Sequence, residues 1–303
     1  REALYCELNP LLQFLTKVKS EVLNLKDPVR LKVSKKLRAT IPGLEYSIAN
    51  SLPDQGLRLT YTSVFGRSQF FDEHVLEAIL RTRAYLDSVA CTDPFLAELL
   101  TVAALATLVP ASRLTRAGDL RFKTPEESEK EHVDFMTYLR ERIAQIAEDL
   151  AHITTLDTKP ILVCEDARNL SVLPYQGIDT VITSPPYLNG TNYFRNTKIE
   201  LWFLRCLLST EDLASFRQRA VTAGINDVTQ SKNGLCSSEE VTEVVRLLRQ
   251  KAYDPRIPKM VGSYFWDIST VFAGLRKHLT PGALIAVDIG DSAYGGVRVP
   301  TDR

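Results

Sequence analysis

The sequence contains few of the residues that build zinc sites and disulfide frameworks. Its 303 residues include five cysteines and four histidines, and no two cysteines form a C-x-x-C pair. Zinc sites need clustered ligands, and disulfide scaffolds need paired cysteines. We therefore expect no metal site and no disulfide framework.

Net charge and long apolar runs are also lacking. The 37 basic and 37 acidic residues give a formal net charge of zero, so any contact with nucleic acid must come from local clusters of positive charge. No apolar stretch is long enough to span a bilayer, and no signal peptide is recognisable. With 45% hydrophobic residues the chain can bury a sizeable core, and we expect a cytoplasmic protein.

The most informative motif is Ser184-Pro185-Pro186-Tyr187, which follows a strand-like segment over residues 179–183. The Ser184 hydroxyl and the Pro185 carbonyl can both accept hydrogen bonds. An aromatic base amine needs such acceptors before it can attack a methyl group, because its lone pair is delocalised into the ring. The two prolines restrict the backbone of the loop, and Tyr187 offers a flat face for an extruded base. We predict that these four residues form a catalytic loop.

Three segments around this loop carry a family resemblance. They read PILVCEDAR over residues 160–168, IDTVITSPPY over residues 178–187, and YFR followed by LW between residues 193 and 202. Together they resemble the amino-methylating DNA methyltransferases. In that family serine at the first loop position is more typical of cytosine-N4 enzymes, and aspartate or asparagine of adenine-N6 enzymes. Cytosine-C5 chemistry is disfavoured, because no cysteine of this chain follows a proline as the catalytic cysteine of that family does.

The resemblance implies S-adenosylmethionine as the methyl donor and a doubly wound, Rossmann-like α/β sheet. Ligands of such sheets bind at the carboxyl ends of the strands. Glu7 would accept hydrogen bonds from the ribose hydroxyls, and Asp166 would accept one from the adenine amine. The residues expected to hold the donor are Glu7, Asn9, Pro10, Asp166, Ala167 and Ser184.

One family element is not found in the expected order. The glycine-rich turn of the family should precede the Glu7 strand, and residues 1–6 do not contain it. The glycine-bearing stretch 288–296 follows a predicted strand over residues 283–287 and resembles a late strand of the family instead. We therefore expect a methyltransferase core that is incomplete at both ends.

The core is expected to span residues 1–29 and 156–303. Residues 30–155 read as a mainly helical insertion that could face DNA, with helices predicted over residues 72–90, 94–109 and 126–153. Positive and amide side chains near Gly118 and after the catalytic loop are candidate DNA contacts. These candidates are Arg113, Arg116, Arg121, Lys123, Asn189 and Asn192.

Several functions stay open. The main hypothesis is a site-specific DNA methyltransferase acting on cytosine N4 of double-stranded DNA with a flipped target base, with a cognate restriction endonuclease as a possible partner. An adenine-N6 enzyme would keep every role and change only the base pocket. An RNA or protein amide methyltransferase would use a similar loop. The alternative that is not itself a complete enzyme is a non-catalytic or split DNA-binding subunit of the same fold.

Overall fold

The chain forms two compact units. The computed structural model describes residues 2–130, 133–188, 193–228 and 238–301. The first unit contains the residues before Tyr5 together with Asn9–Ile161 and Arg195–Leu213, and the second contains Tyr5–Leu8, Leu162–Phe194 and Ala214–Arg303. The domain boundaries drawn from the sequence at residues 29 and 155 stay a prediction.

The first unit is mainly helical and carries one β-hairpin. Asn9 begins its first helix, since its side chain accepts a hydrogen bond from the Leu11 amide at 3.0 Å and Pro10 follows at the first helical position. The elements are α1 (Pro10–Leu23), α2 (Asp27–Thr40), α3 (Leu44–Ala49), α4 (Gln55–Phe65), α5 (Glu73–Ala90), α6 (Pro94–Leu108), the hairpin strands β2 (Leu114–Ala117) and β3 (Asp119–Phe122), α7 (Pro125–Lys130) and α8 (Phe135–His152).

The core of the first unit is built around α6. This helix is apolar on nearly all sides, and it packs against α5 and α8. A helix that is hydrophobic all round is expected at the centre of a bundle. Beside it lies an aromatic cluster around Trp202, which is fully buried and donates a hydrogen bond from Nε1 to the Leu57 carbonyl at 3.1 Å. The helix that carries Trp202 is α10 (Lys198–Phe203), and it follows the short helix α9 (Tyr193–Asn196).

Two of the three predicted helices in this region are confirmed, and the third is confirmed in part. The predictions for residues 72–90 and 94–109 agree with α5 and α6. The helix predicted over residues 126–153 is divided, because α7 ends at Lys130 and α8 begins again at Phe135. Asp134 starts the second helix by accepting a hydrogen bond from the Thr137 amide at 2.8 Å. The apolar periodicity alone gave no sign of this new helix start.

The second unit carries the strands that concern the candidate site. The last two residues of β1 (Ala3–Cys6) belong to this unit, and so do the last three residues of β4 (Pro160–Cys164). The elements that follow are a 3₁₀ turn (Ala167–Val172), β5 (Ile178–Thr183), α11 (Thr210–Arg219, whose last residues lie in this unit), a second 3₁₀ turn (Ile225–Asp227), α12 (Glu239–Lys251), α13 (Ile257–Arg276), β6 (Leu279–Val287), β7 (Ser292–Tyr294) and β8 (Val297–Val299).

The described strands pair two by two. β1 pairs with β4, β2 with β3, β5 with β6, and β7 with β8. The β5–β6 pair is parallel, with Thr183 opposite Val287 at the strand ends. The predicted mixed α/β class is confirmed, whereas the described strands form pairs and not one continuous sheet.

One face of the β5–β6 pair is open to solvent. Ile182 is 82% exposed and Leu284 is 66% exposed. The register places Thr180 opposite Leu284 and Ile182 opposite Ala286, so these residues share a face. Parallel strands are normally covered on both faces. The exposed apolar side chains are therefore unusual for strands of this kind.

Candidate active site

The candidate catalytic loop leaves the carboxyl end of β5. Ser184 is exposed, Pro185 is buried, and Pro186 and Tyr187 are half-buried. The Tyr187 hydroxyl donates a hydrogen bond to Oδ2 of Asp288 at 3.0 Å. Asp288 follows β6 directly, and its amide donates to the carbonyl of Thr183 at 3.0 Å. The ends of both strands thus support the loop.

The far end of the loop is held by β7. The carbonyl of Leu188 accepts a hydrogen bond from the Tyr294 hydroxyl at 2.8 Å and another from the Ser292 hydroxyl. Leu188 is fully buried in an apolar cluster with residues of α12, α13, β7 and β8. The loop therefore has a fixed end just beyond Tyr187. The candidate DNA contacts Asn189 and Asn192 lie outside the described residues.

The ends of β1 and β4 lie side by side. The Glu7 amide donates to the Cys164 carbonyl at 3.3 Å, and the sulfur atoms of Cys6 and Cys164 are 3.0 Å apart. Burial, together with the hydrogen bond to Cys164, raises the pKa of the Cys6 thiol. The half-buried Glu7 follows β1, and Asp166 lies two residues beyond the end of β4. The two carboxylates that are predicted to bind the methyl donor thus follow the ends of neighbouring strands.

Asp166 is bound by Arg168. Its side chain caps the 3₁₀ turn that begins at Ala167, by accepting from the Arg168 amide at 3.0 Å. Its two oxygens also accept from the Arg168 guanidinium, at 2.9 Å from Nε and 2.7 Å from Nη2. A carboxylate has about four acceptor positions. An amine that bound to Asp166 would therefore share a carboxylate oxygen with the Arg168 guanidinium, or it would displace the guanidinium.

Arg168 is itself fixed by a buried acid. Its Nη1 lies 3.3 Å from Oδ1 of Asp267. Asp267, only 5% exposed, also accepts from the amide and hydroxyl of Thr222 at 2.8 and 2.9 Å. The hydrogen bond to Asp166 raises the pKa of Arg168 and keeps its charge in place. Sequence reasoning missed Arg168 and Asp267, although Arg168 stands within the segment that carries the family resemblance.

Asn9 and Pro10 have a structural role in the first unit. The Asn9 oxygen caps α1, and its Nδ2 donates to the Thr197 hydroxyl at 3.0 Å. Asn9 is 3% exposed. Their proposed contact with the donor stays a prediction.

The four candidate cations near Gly118 lie on or beside a β-hairpin and not in a plain loop. Gly118 makes the tight turn between β2 and β3 with φ at 78°. Every cation has an acceptor within the protein. Arg113 donates to Asp72 at 3.0 Å, Arg121 to Glu127 at 2.8 Å, and Lys123 to the Pro110 carbonyl at 3.2 Å. Their contact with DNA stays a prediction, in which phosphates would compete with these partners.

Arg116 is the fourth cation, and it pairs with the buried acid Glu200. The Glu200 side chain is 5% exposed, whereas that of Arg116 is 48% exposed. Arg116 also donates to the Asn196 carbonyl at 3.3 Å. Burial raises the pKa of Glu200 although Arg116 opposes the shift, and its Oε2 is buried without a hydrogen-bond partner. Removing Arg116 to bind a phosphate would leave this acid unpaired.

We expect Glu200 to make the folded chain less stable as the pH rises. A carboxyl whose pKa is raised on folding favours its protonated form, so its stabilising effect is complete below the ordinary value of 4.5 and is lost as the pH rises through the folded value. Glu200→Gln should remove this part of the pH dependence. Urea unfolding between pH 4.5 and 8, followed by circular dichroism, measures it. The exposed Glu141→Gln serves as the control, and parallel pH curves for wild type and Glu200→Gln would contradict the expectation.

No helix within the described ranges is long and apolar enough to cross a membrane.

Part of the chain is similar to Type II methyltransferases. It is 25% identical over 153 residues to Type II methyltransferase M.AvaI of Nostoc sp. (strain PCC 7120) and to the protein of the same name of Anabaena variabilis, which covers 45% of this chain and 31% of each relative. It is 24% identical over 148 residues to Type II methyltransferase M.BsoBI of Geobacillus stearothermophilus, which covers 41% of this chain and 29% of that protein. The matches span about a third of the length of these curated relatives. No family profile matches the chain, and no solved structure matches it.

Proposed function

We propose that this chain is part of an S-adenosylmethionine-dependent DNA methyltransferase that acts on an exocyclic base amine, cytosine N4 in particular. The observation that carries the proposal is the Ser184-Pro185-Pro186-Tyr187 loop, held at the carboxyl ends of a parallel strand pair with Tyr187 hydrogen-bonded to Asp288. The partial similarity to Type II methyltransferases supports it. Double-stranded DNA with an extruded target base is the proposed substrate, and a cognate restriction endonuclease is a proposed partner.

The strand pairs support a doubly wound sheet for the complete fold. In the common order 3-2-1-4-5-6, the first strand separates a pair formed by the second and third from a pair formed by the fourth and fifth. In this chain β1 and β4 would correspond to the second and third strands of that order, and β5 and β6 would correspond to the fourth and fifth. Both pairs are present, and they follow one another along the chain as that order requires. The proposed sheet therefore requires a central strand that none of the described residues supplies.

The carboxylates after β1 and β4 fit a methyl donor with a ribose and an amino group. Glu7 and Asp166 accept hydrogen bonds only, as the ribose hydroxyls and the adenine amine require. They follow strand ends joined by the bond between the Glu7 amide and the Cys164 carbonyl. S-adenosylmethionine, when bound, supplies an electrophilic methyl group on a sulfonium centre. Glu7 would hold its ribose, and Asp166, oriented by Arg168, would hold its adenine.

The loop residues would prepare the target amine. The exposed hydroxyl of Ser184 and the carbonyl of Pro185 would accept its two N–H bonds, so that the nitrogen lone pair points away from the loop. The backbone restriction imposed by the prolines keeps these acceptors in place before the base arrives. The ring of Tyr187 would stack on the extruded base. No covalent intermediate with the protein is needed.

The experiment is methyl transfer by the full-length native protein from labelled S-adenosylmethionine, followed by mass spectrometry of the hydrolysed product. We expect N4-methylcytosine from duplex DNA, and no such product from a variant with Ser184 and Tyr187 both replaced by alanine. N6-methyladenine would keep the enzyme class and overturn the cytosine assignment. Label found only in RNA or protein would overturn the DNA assignment. Wild-type activity in the double variant would falsify the role of the loop.

A further inference from the structure

The segment that follows β6 has no role in the chemistry proposed above, yet it contacts the catalytic loop at two successive residues. Asp288 accepts a hydrogen bond from the Tyr187 hydroxyl at 3.0 Å. Ser292 and Tyr294 both donate to the carbonyl of the next residue, Leu188. A segment that binds two neighbouring residues of one loop limits the positions that the loop can take.

The segment is itself well anchored. The Asp288 amide is bonded to Thr183, the last residue of β5. Further along, β7 pairs with β8, and Tyr294 is 8% exposed. Asp291 accepts from the Arg298 guanidinium at 2.7 Å and from the Thr301 amide at 3.1 Å. Asp288 therefore extends from a backbone fixed on both sides.

We infer that Asp288 is a positioning residue, which orients the ring of Tyr187 before a base stacks on it. This inference rests on the proposed function. A tyrosine ring turns in a broad torsional well about its second side-chain angle, so packing alone leaves its face loosely defined. The phenolic O–H bond prefers to lie in the plane of the ring, so a hydrogen bond to a carboxylate fixed in one direction favours one orientation of the ring. It also fixes the position of the ring axis, and it is stronger than a bond between neutral groups. Preorganisation of the stacking face removes an entropy cost from base binding.

The hydrogen bond between Asp288 and Tyr187 allows stacking of the base to be tested separately from binding of its amine. Asp288 touches the hydroxyl of Tyr187, whereas Ser184 and Pro185 carry the acceptors for the amine. Loss of Asp288 should therefore act through Tyr187 alone. A residue that only stabilised the fold would act equally whether or not the Tyr187 hydroxyl was present.

The test is a double-mutant cycle of Asp288→Ala and Tyr187→Phe in the full-length protein. We expect Asp288→Ala to lower kcat/KM for DNA methylation about tenfold, in the range of one hydrogen bond to a charged group. In the Tyr187→Phe background the same change should have no further effect. Asp288→Asn, which can still accept a hydrogen bond, should restore most of the loss. Asp179→Asn, at an exposed position on β5, is the matched control.

Equal losses in both backgrounds, or wild-type kinetics for Asp288→Ala, would overturn the inference. A second readout is independent of catalysis: spectra of protein with ¹³C-labelled tyrosine, in which Tyr187→Phe identifies the Tyr187 ring signal. Asp288→Ala should shift that signal, and an unchanged signal would also overturn the inference. If the wild-type protein methylates no DNA while the ring signal shifts, the proposed function fails and the orientation of Tyr187 by Asp288 stands.

Discussion

Replacing Ser184 by alanine should lower the rate constant for methyl transfer by about 100- to 1,000-fold, the usual cost of removing one preorganised group at a reacting centre. The amine would lose one of its two acceptors, and its lone pair would stay delocalised into the ring. DNA binding should change little, because stacking on Tyr187 and contacts with the DNA backbone do not involve the hydroxyl. Single-turnover kinetics and a DNA-binding titration measure the two effects separately.

The change should not alter the fold, since the Ser184 side chain is exposed. Thermal unfolding of Ser184→Ala should match that of wild type. Ser88→Ala is a suitable control, because Ser88 is also exposed and its hydroxyl only donates to the Tyr85 carbonyl of the same helix. A Ser184→Ala protein that turned over within twofold of wild type would exclude the hydroxyl as an acceptor for the amine.

Replacing Gly295 by alanine should destabilise the second unit by about 2 to 5 kcal/mol. A Cβ atom at this position would lie 2.2 Å from the Lys251 carbonyl oxygen and 2.8 Å from its carbon. These are backbone atoms at the end of α12, which cannot turn aside as a side chain can. The φ of 56° adds the cost of a left-handed conformation to the cost of overpacking. Urea unfolding followed by circular dichroism measures the loss.

Gly296→Ala provides the matched control. Gly296 also has a positive φ, at 75°, but a Cβ atom there would meet nothing within 4 Å. It should therefore cost only about 1 to 2 kcal/mol, the conformational part alone. Equal losses in the two variants would mean that the hairpin and α12 do not approach as closely as described. Since β7 holds Leu188, Gly295→Ala should also reduce methyl transfer by the protein that stays folded.

Local signals in the sequence predicted the elements that depend on neighbouring residues. The strand-like segment before Ser184 predicted β5, and the Asn9-Pro10 pair explains locally why α1 starts where it does. In the same way, the apolar spacing around Trp202 fits the buried face of a helix, and Trp202 and Phe203 are both fully buried. Each of these features is decided by capping, chain stiffness or apolar spacing within a few residues.

Features that depend on distant partners could not be predicted. Asp288 lies 101 residues from Tyr187 along the chain, and only the parallel pairing of β5 with β6 brings them together. Asp267, the buried acid that fixes Arg168, lies 99 residues further along the chain. The cation pattern near Gly118 was visible, but its acid partners were not. The Glu200 carboxylate that binds Arg116 comes from a helix more than 80 residues away.

The open face of β5 and β6 has a consequence for handling the protein in solution. Ile182 and Leu284 present apolar surface, and within the described ranges β5 has β6 as its one strand partner. An unpaired strand edge beside exposed aliphatic side chains is a template for intermolecular β-pairing. Refolding from denaturant should therefore lose yield as protein concentration rises. Ile182→Lys should recover that yield, because a charged side chain on an edge strand opposes pairing with a second copy.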